Sequence, residues 1–184
     1  PPAEVVWLAN PNNPTGAVMG REHLQHIADA LRGTNVIVIC DEIYAELNYS
    51  DEPHASFATL PGMWERTVTL NGFSKAFAMT GWRMGYLCAP RELAEVMVKI
   101  HQYVIMCAPT AGQYAALEAL KNGRETDYAH VRRMTREYDR RRRIMLSAFR
   151  DMNLPCFEPR GAFYTFPCVG ETGLSAQEFA LRLL

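Results

Sequence analysis

Apolar and polar positions along the chain switch between two periods. Residues 4–9 form a short β-prone run, and residues 35–40 end in the unbroken string VIVIC, the composition of a strand buried on both faces of a parallel sheet. A third β-prone segment, 66–70, gives way to the small and polar residues of a turn at 71–74, and another apolar run covers 84–89. Between these runs the spacing is helical. Leu24, Ile27, Ala28 and Leu31 share one face of a helix predicted over 21–31, with Gly33 as its stop. Leu93, Val96, Met97 and Ile100 do the same over 90–103, and a helix rich in Ala and Leu over 110–122 is expected to end at Asn122-Gly123. One long helix is predicted over 125–151, carrying Tyr128, Val131, Met134, Tyr138, Met145 and Phe149 close to a heptad stripe. Residues 154–161 are irregular, 162–169 read as a strand in a new unit, and 175–184 as an amphipathic helix. Strands alternating with helices predict an α/β fold with a mostly parallel sheet and a domain boundary near residues 150–160.

Composition narrows the function classes. With 48% hydrophobic and 21% charged residues the 184-residue chain is globular, and 19 basic against 20 acidic residues argue against a nucleic-acid-binding surface. The run Arg140 to Arg143 does not change this, because successive helical side chains point about 100° apart and Glu137 and Asp139 dilute the charge. Five cysteines without a CxxC spacing imply neither a zinc site nor a disulfide framework, and are expected as reduced, mostly buried thiols. His23 and His26 have no ligand partners around them and are expected in solvent, so no metal is called for. No apolar run approaches a membrane span, and the cytoplasm is the expected compartment. The chain starts Pro1-Pro2 without a methionine and stops within its last helix, which suggests a fragment.

Candidate chemistry clusters after the predicted strands. The first is followed by Asn10-Pro11-Asn12-Asn13-Pro14-Thr15-Gly16, a compact turn whose asparagines can donate to a ligand from a rigid frame. The second ends in Asp41, a carboxylate that is costly at a buried strand end unless it caps a turn or meets a cation, and Tyr44 stands three residues on. Glu42 and Glu46 are expected to face solvent or a subunit neighbour. The third is followed by Lys75, an amine able to form a Schiff base with an aldehyde, and then by Arg83, a cation able to hold a phosphate. Ligands of α/β sheets bind at this carboxyl edge.

In this order the motifs NPNNPTG, DEIYAEL and SKAFAMTGWRMGY resemble the fold-type I, pyridoxal-phosphate-dependent aminotransferases of classes I and II. The resemblance covers essentially the whole chain. It implies a three-layer, mostly parallel sheet with flanking helices in a large domain, residues 1–150 with the long interdomain helix, followed by the start of a small α+β domain, 151–184. It implies pyridoxal 5'-phosphate as cofactor, an amino acid and a 2-oxo acid as substrates, and a homodimer. Lys75 would bond the cofactor aldehyde and then carry the proton from the substrate Cα. Asp41 would keep the pyridine nitrogen protonated, Asn13 and Tyr44 would bond the phenolic oxygen, and Arg83 and Ser74 would hold the phosphate. Many relatives carry a serine three residues before the lysine, where this chain has Gly72. A cis peptide is expected at Asn13-Pro14. The phosphate loop, the stacking aromatic and the carboxylate-binding arginine of the family fall outside these residues, and Arg182 does not match the last. The segment alone is therefore expected to be inactive and to expose apolar surface. A C–S β-lyase on the same scaffold, or a cofactor-binding domain of a transcriptional regulator, is the alternative. The stretch HQYVIMCAPTAGQYAALEAL leans slightly toward aromatic- and aspartate-type enzymes.

Overall fold

The computed structural model describes residues 3–184. Its centre is a sheet of four strands in the order β1 (Val5–Ala9), β2 (Ile37–Asp41), β3 (Thr67–Gly72) and β4 (Gly85–Cys88). The first three are parallel and β4 runs antiparallel to β3. The sheet is thus mixed within an α/β chain.

Period two along the strands decides what each face covers. Val6 and Leu8 of β1 and Val38 and Cys40 of β2 point to one side, where α1 (Arg21–Ala30) brings Leu24, Ala28 and the following Leu31. Phe57, Leu60 and Met63, from the turns between β2 and β3, complete that core. The predicted face of α1 is the buried one, and Gly33 ends its exit turn at φ +73°, a conformation that costs glycine little. On the opposite side of β1, Val5 and Trp7 are exposed.

Further along, α2 (Arg91–Val104) has no buried residue, and Val96 and Ile100 of its predicted apolar face lie open to solvent. The expected exposed apolar surface is found there. The helix α3 (Thr110–Glu125) runs through Asn122-Gly123 instead of stopping there. Gly123 is buried against the Tyr128 ring, and a Cβ on it would fall 2.5 Å from Tyr128 Cε1. The stop comes later, where Asp127 and Tyr128 take left-handed φ values, so α4 (Ala129–Asp151) begins four residues after the predicted start. Of its stripe, Val131 and Phe149 are buried together with Leu146, whereas Met145 is exposed.

The arginine run on α4 is tied up in ion pairs. Arg140 and Arg141 share Glu137 and pull its carboxyl down to about 2, while Arg142 and Arg143 share Asp139. Arg142 is largely buried and also reaches Glu158 and the Pro159 carbonyl, fastening the next segment to the helix.

Residues 162–169 do not form the expected strand; only the isolated bridges Asn48–Gly161 and Cys156–Pro167 are present. Ala162 sits at φ +57° and Pro167 has no N–H, so a ladder cannot run through the segment. The last helix, α5 (Ala176–Leu183), is closed by a capping box between Ser175 and Glu178. No helix among the described residues is long and apolar enough to cross a membrane.

Two further expectations are corrected. All cysteines are free thiols, but only Cys40 is buried, and burial pushes that thiol far up; Cys88, Cys107 and Cys168 are exposed. Glu42 does not face solvent or a neighbour. It turns into the core beside Cys40, where its carboxylate meets His54 Nε2 at 3.0 Å and accepts the Phe57 N–H at 3.2 Å. Glu46 is exposed as expected. Glu42→Ala would leave the Phe57 N–H and the His54 ring unpartnered, at a cost of about 1–3 kcal/mol. Urea unfolding should show a correspondingly lower midpoint; an unchanged midpoint would mean that Glu42 does not hold residues 54–57.

Candidate active site

Strand register brings the predicted residues to one edge. Ala9 at the end of β1 lies opposite Asp41 at the end of β2, Asp41 lies opposite Leu70, and β3 continues to Gly72, which lies opposite Gly85 at the start of β4. The Asn-Pro loop, the Asp41 to Tyr44 turn, the Ser74-Lys75 turn and Arg83 therefore all leave or enter the sheet at the same rim. Gly72 is required there. A Cβ at this position would meet the Met84 carbonyl oxygen at 2.8 Å and Gly85 Cα at 2.9 Å, so a serine would push β4 away.

The Asn-Pro loop is braced from within. The buried Asn10 side chain donates to the Met19 carbonyl at 3.1 Å and accepts the Met19 N–H at 2.9 Å, and Asn12 accepts the Thr15 hydroxyl at 2.7 Å. Asn10-Pro11 and Asn13-Pro14 are both cis, the second as expected. Asn13 is exposed, and its amide has no hydrogen-bond partner among the described residues. Two asparagines thus frame a third, which is left available.

Asp41 is half-buried. Its Oδ1 accepts the Ile43 N–H at 3.0 Å, a turn-capping contact, while Oδ2 has no hydrogen-bond partner among the described residues. Tyr44 is buried, its ring edge-on to Phe163 and Tyr164 at centroid distances of 5.2 and 5.6 Å, and its hydroxyl bonds that of Tyr164. Burial first, then the Tyr164 hydroxyl and the Asp41 carboxylate, push the Tyr44 phenol up, so it stays protonated at neutral pH.

Lys75 is half-buried, on a turn closed by Ala78 N–H to the Lys75 carbonyl at 3.2 Å. Its Nζ lies 5.3 Å from the Tyr44 ring centroid and 5.0 Å from that of Phe163. No carboxylate pairs with it among the described residues; two aromatic faces hold the amine instead. Ser74 is half-buried without a side-chain hydrogen bond among the described residues, and Arg83, at φ +54°, is exposed with Nη1 donating to the Thr80 carbonyl at 2.9 Å. Lys75, Tyr44 and Asp41 are thus drawn together, and Asn13, Ser74 and Arg83 share their rim. A hollow of about 550 Å³ beside the carboxyl end of α4 is lined by none of the six.

Phe163 and Tyr164 escaped the sequence reading, because 162–169 was read as a strand of another unit. Adjacent aromatics directly after Gly161-Ala162 were the available signal. Their segment is fixed to the rim: the Gly16 carbonyl accepts the N–H groups of Arg160 and Gly161, each at 2.9 Å, and Ala162 N–H donates to the Leu47 carbonyl at 2.8 Å.

Known proteins contain a similar chain. It is 50% identical over 181 residues to the putative aminotransferase YugH of Bacillus subtilis (strain 168), covering 98% of this chain and 46% of that protein. It is 46% identical over 177 residues to the aspartate aminotransferase of Pyrococcus abyssi, covering 96% of this chain and 45% of the relative. The crystal structure of an aromatic aminotransferase from Pyrococcus horikoshii OT3 superposes with a TM-score of 0.90 at 46% identity, over 96% of this chain and 47% of that one. The chain spans just under half the length of these relatives. The family description "Aminotransferase class I and II" matches residues 1–184 throughout, and the chain belongs to that family.

Proposed function

We propose that the protein transfers an amino group between an amino acid and a 2-oxo acid, using pyridoxal 5'-phosphate held at the carboxyl rim of the sheet. The observation that carries this reading is the Lys75 amine, free of any carboxylate among the described residues and set against the buried Tyr44, which follows Asp41 at the end of β2 by three positions. The donor set fits the cofactor. An amine suits its aldehyde, the open Oδ2 of Asp41 suits its ring nitrogen, the Tyr44 hydroxyl and Asn13 amide suit its phenolic oxygen, and the Arg83 guanidinium with the Ser74 hydroxyl suits its phosphate. Bound there, the cofactor supplies an electron sink for the substrate's Cα.

The chain's own groups do the rest. Lys75 Nζ would hold the cofactor by its aldehyde and would move the proton of the substrate Cα. Asp41 would keep the cofactor's ring nitrogen protonated through a charge-assisted bond, which would also answer the cost of placing a carboxylate at a strand end. Tyr44, protonated at neutral pH, donates. Arg83 and Ser74 fix the phosphate and so the orientation of the ring.

The quoted relatives are all named aminotransferases, which supports amino transfer over a C–S lyase or a regulator's binding domain. The name of the Pyrococcus abyssi relative and the structure title from Pyrococcus horikoshii agree with an aspartate or aromatic substrate. We assign residues 1–150 to the cofactor-bearing domain and 151–184 to the start of a second, with α4 ending at Asp151 as support. The open apolar residues of α2 suit a homodimer, and the cytoplasm is the compartment we propose for it.

Lys75→Ala in the complete protein should abolish turnover and the borohydride-reducible link to cofactor. Peptide mapping that found the cofactor on Lys99 or Lys121 would overturn the assignment. Asp41→Asn should retain cofactor but lose roughly 3 kcal/mol or more of barrier lowering, read as at least a hundredfold fall in kcat. Near-normal turnover would remove Asp41 from the role.

A further inference from the structure

We infer that Tyr164 is a positioning residue: its hydroxyl donates to the Tyr44 oxygen and so turns the proton of Tyr44 toward the ligand. The inference rests on the proposed cofactor site and adds to it a residue from the far end of the chain. The two hydroxyls are hydrogen-bonded to each other across 120 positions of sequence, and either could be the donor. A phenol has one proton. If Tyr44 gave its proton to Tyr164, it could not donate to a ligand oxygen; once such an acceptor takes the Tyr44 proton, only Tyr164 can supply the bond between the two tyrosines. The direction Tyr164 to Tyr44 to ligand is then forced, and each bond in such a chain strengthens the next.

A second, independent observation is how the Tyr164 segment is held. Ala162 takes a left-handed φ of +57° although it carries a Cβ, and it is fully buried. That conformation is sparsely populated and persists only when the surroundings impose it. Here Ala162 N–H donates to the Leu47 carbonyl and the Ala162 carbonyl accepts the Tyr49 hydroxyl, so the reversal is clamped from both sides. Its effect is to return the next two side chains to the rim, Phe163 over Lys75 and Tyr164 onto Tyr44. Packing alone would not need the Tyr164 hydroxyl. The ring already meets Tyr44 edge-on at 5.6 Å and Phe163 at 5.0 Å, and Tyr164→Phe would keep both contacts.

The test uses the complete protein with pyridoxal phosphate and the variants Tyr164→Phe, Tyr44→Phe and the double variant. An O–H donated to the cofactor's ring oxygen favours the anionic form of that oxygen, so weaker donation should raise the pH midpoint of the cofactor's visible absorption. For Tyr164→Phe we expect a rise of about half a pH unit and a cofactor dissociation constant weaker by about threefold, the size of one hydrogen bond lost indirectly. Tyr44→Phe should shift both further, and adding Tyr164→Phe to it should change neither, because the second residue acts only through the first. An effect of Tyr164→Phe that persists undiminished in the Tyr44→Phe background would make its role structural and overturn the inference, as would an unmoved midpoint beside a shifted Tyr44→Phe. Should Tyr164→Phe fold poorly, Tyr49→Phe, which frees the Ala162 carbonyl without touching Tyr44, should raise the midpoint in the same direction; no rise would count against the inference. A wild-type protein that formed no pH-dependent visible band with pyridoxal phosphate would defeat the cofactor site itself, a result distinct from all of these.

Discussion

The carbonyl oxygen of Gly16 takes both of its hydrogen bonds from the backbone of residues 160 and 161, and the site depends on that junction. It is possible only because Gly16 and Gly161 have no side chain in the way. A Cβ at Gly16 would lie 2.3 Å from Pro159 Cβ, and one at Gly161 would lie 2.6 Å from Pro11 Cβ. With the two backbones in contact, the loop that carries Asn13 and the segment that carries Phe163 and Tyr164 become one wall. The Arg142 guanidinium, bonded to Glu158 and the Pro159 carbonyl and lying over the Tyr49 ring, fixes that wall to α4.

Electrostatics around Lys75 follow from this wall. An amine beyond a strand end is ordinarily drawn to a carboxylate, yet none pairs with Lys75 among the described residues, and the rings of Tyr44 and Phe163 occupy the neighbourhood of Nζ. Aromatic faces attract a cation weakly and do not compete for a covalent partner. The Asp41 carboxylate is meanwhile half-spent on the Ile43 N–H, and its other oxygen has no hydrogen-bond partner among the described residues.

What could be read from residues and what could not divides along range. Asp41, Tyr44 and Lys75 were legible because each follows an apolar run with strand composition, and a strand end is a local property. The loop after β1 was legible because its prolines, asparagines and glycine restrict the chain on the spot. Glu42 was misread because local pattern cannot reveal that residues 54–57 fold back to satisfy a buried carboxylate. Phe163 and Tyr164 were missed for the same reason: β-rich composition suggested a strand, whereas the left-handed turn at Ala162 is imposed by contacts with Leu47 and Tyr49. The break before α4 depended on Gly123 accepting the Tyr128 ring, again a contact and not a propensity.

The alternation along β2 has a consequence for how the motif could have arisen. Cys40, Asp41 and Glu42 are consecutive, and their side chains go to the core, to the rim and back to the core. Two acids side by side in the chain live in different surroundings, one anchoring residues 54–57 from inside and the other leaving one oxygen without a hydrogen-bond partner among the described residues at the rim. Loss or gain of one residue upstream in the strand would exchange these fates, placing the rim acid in apolar packing and the anchoring acid in water. A change of two would preserve them. Length variation in this strand is therefore expected to come in even steps, and the pair of carboxylates can be inherited only as a unit.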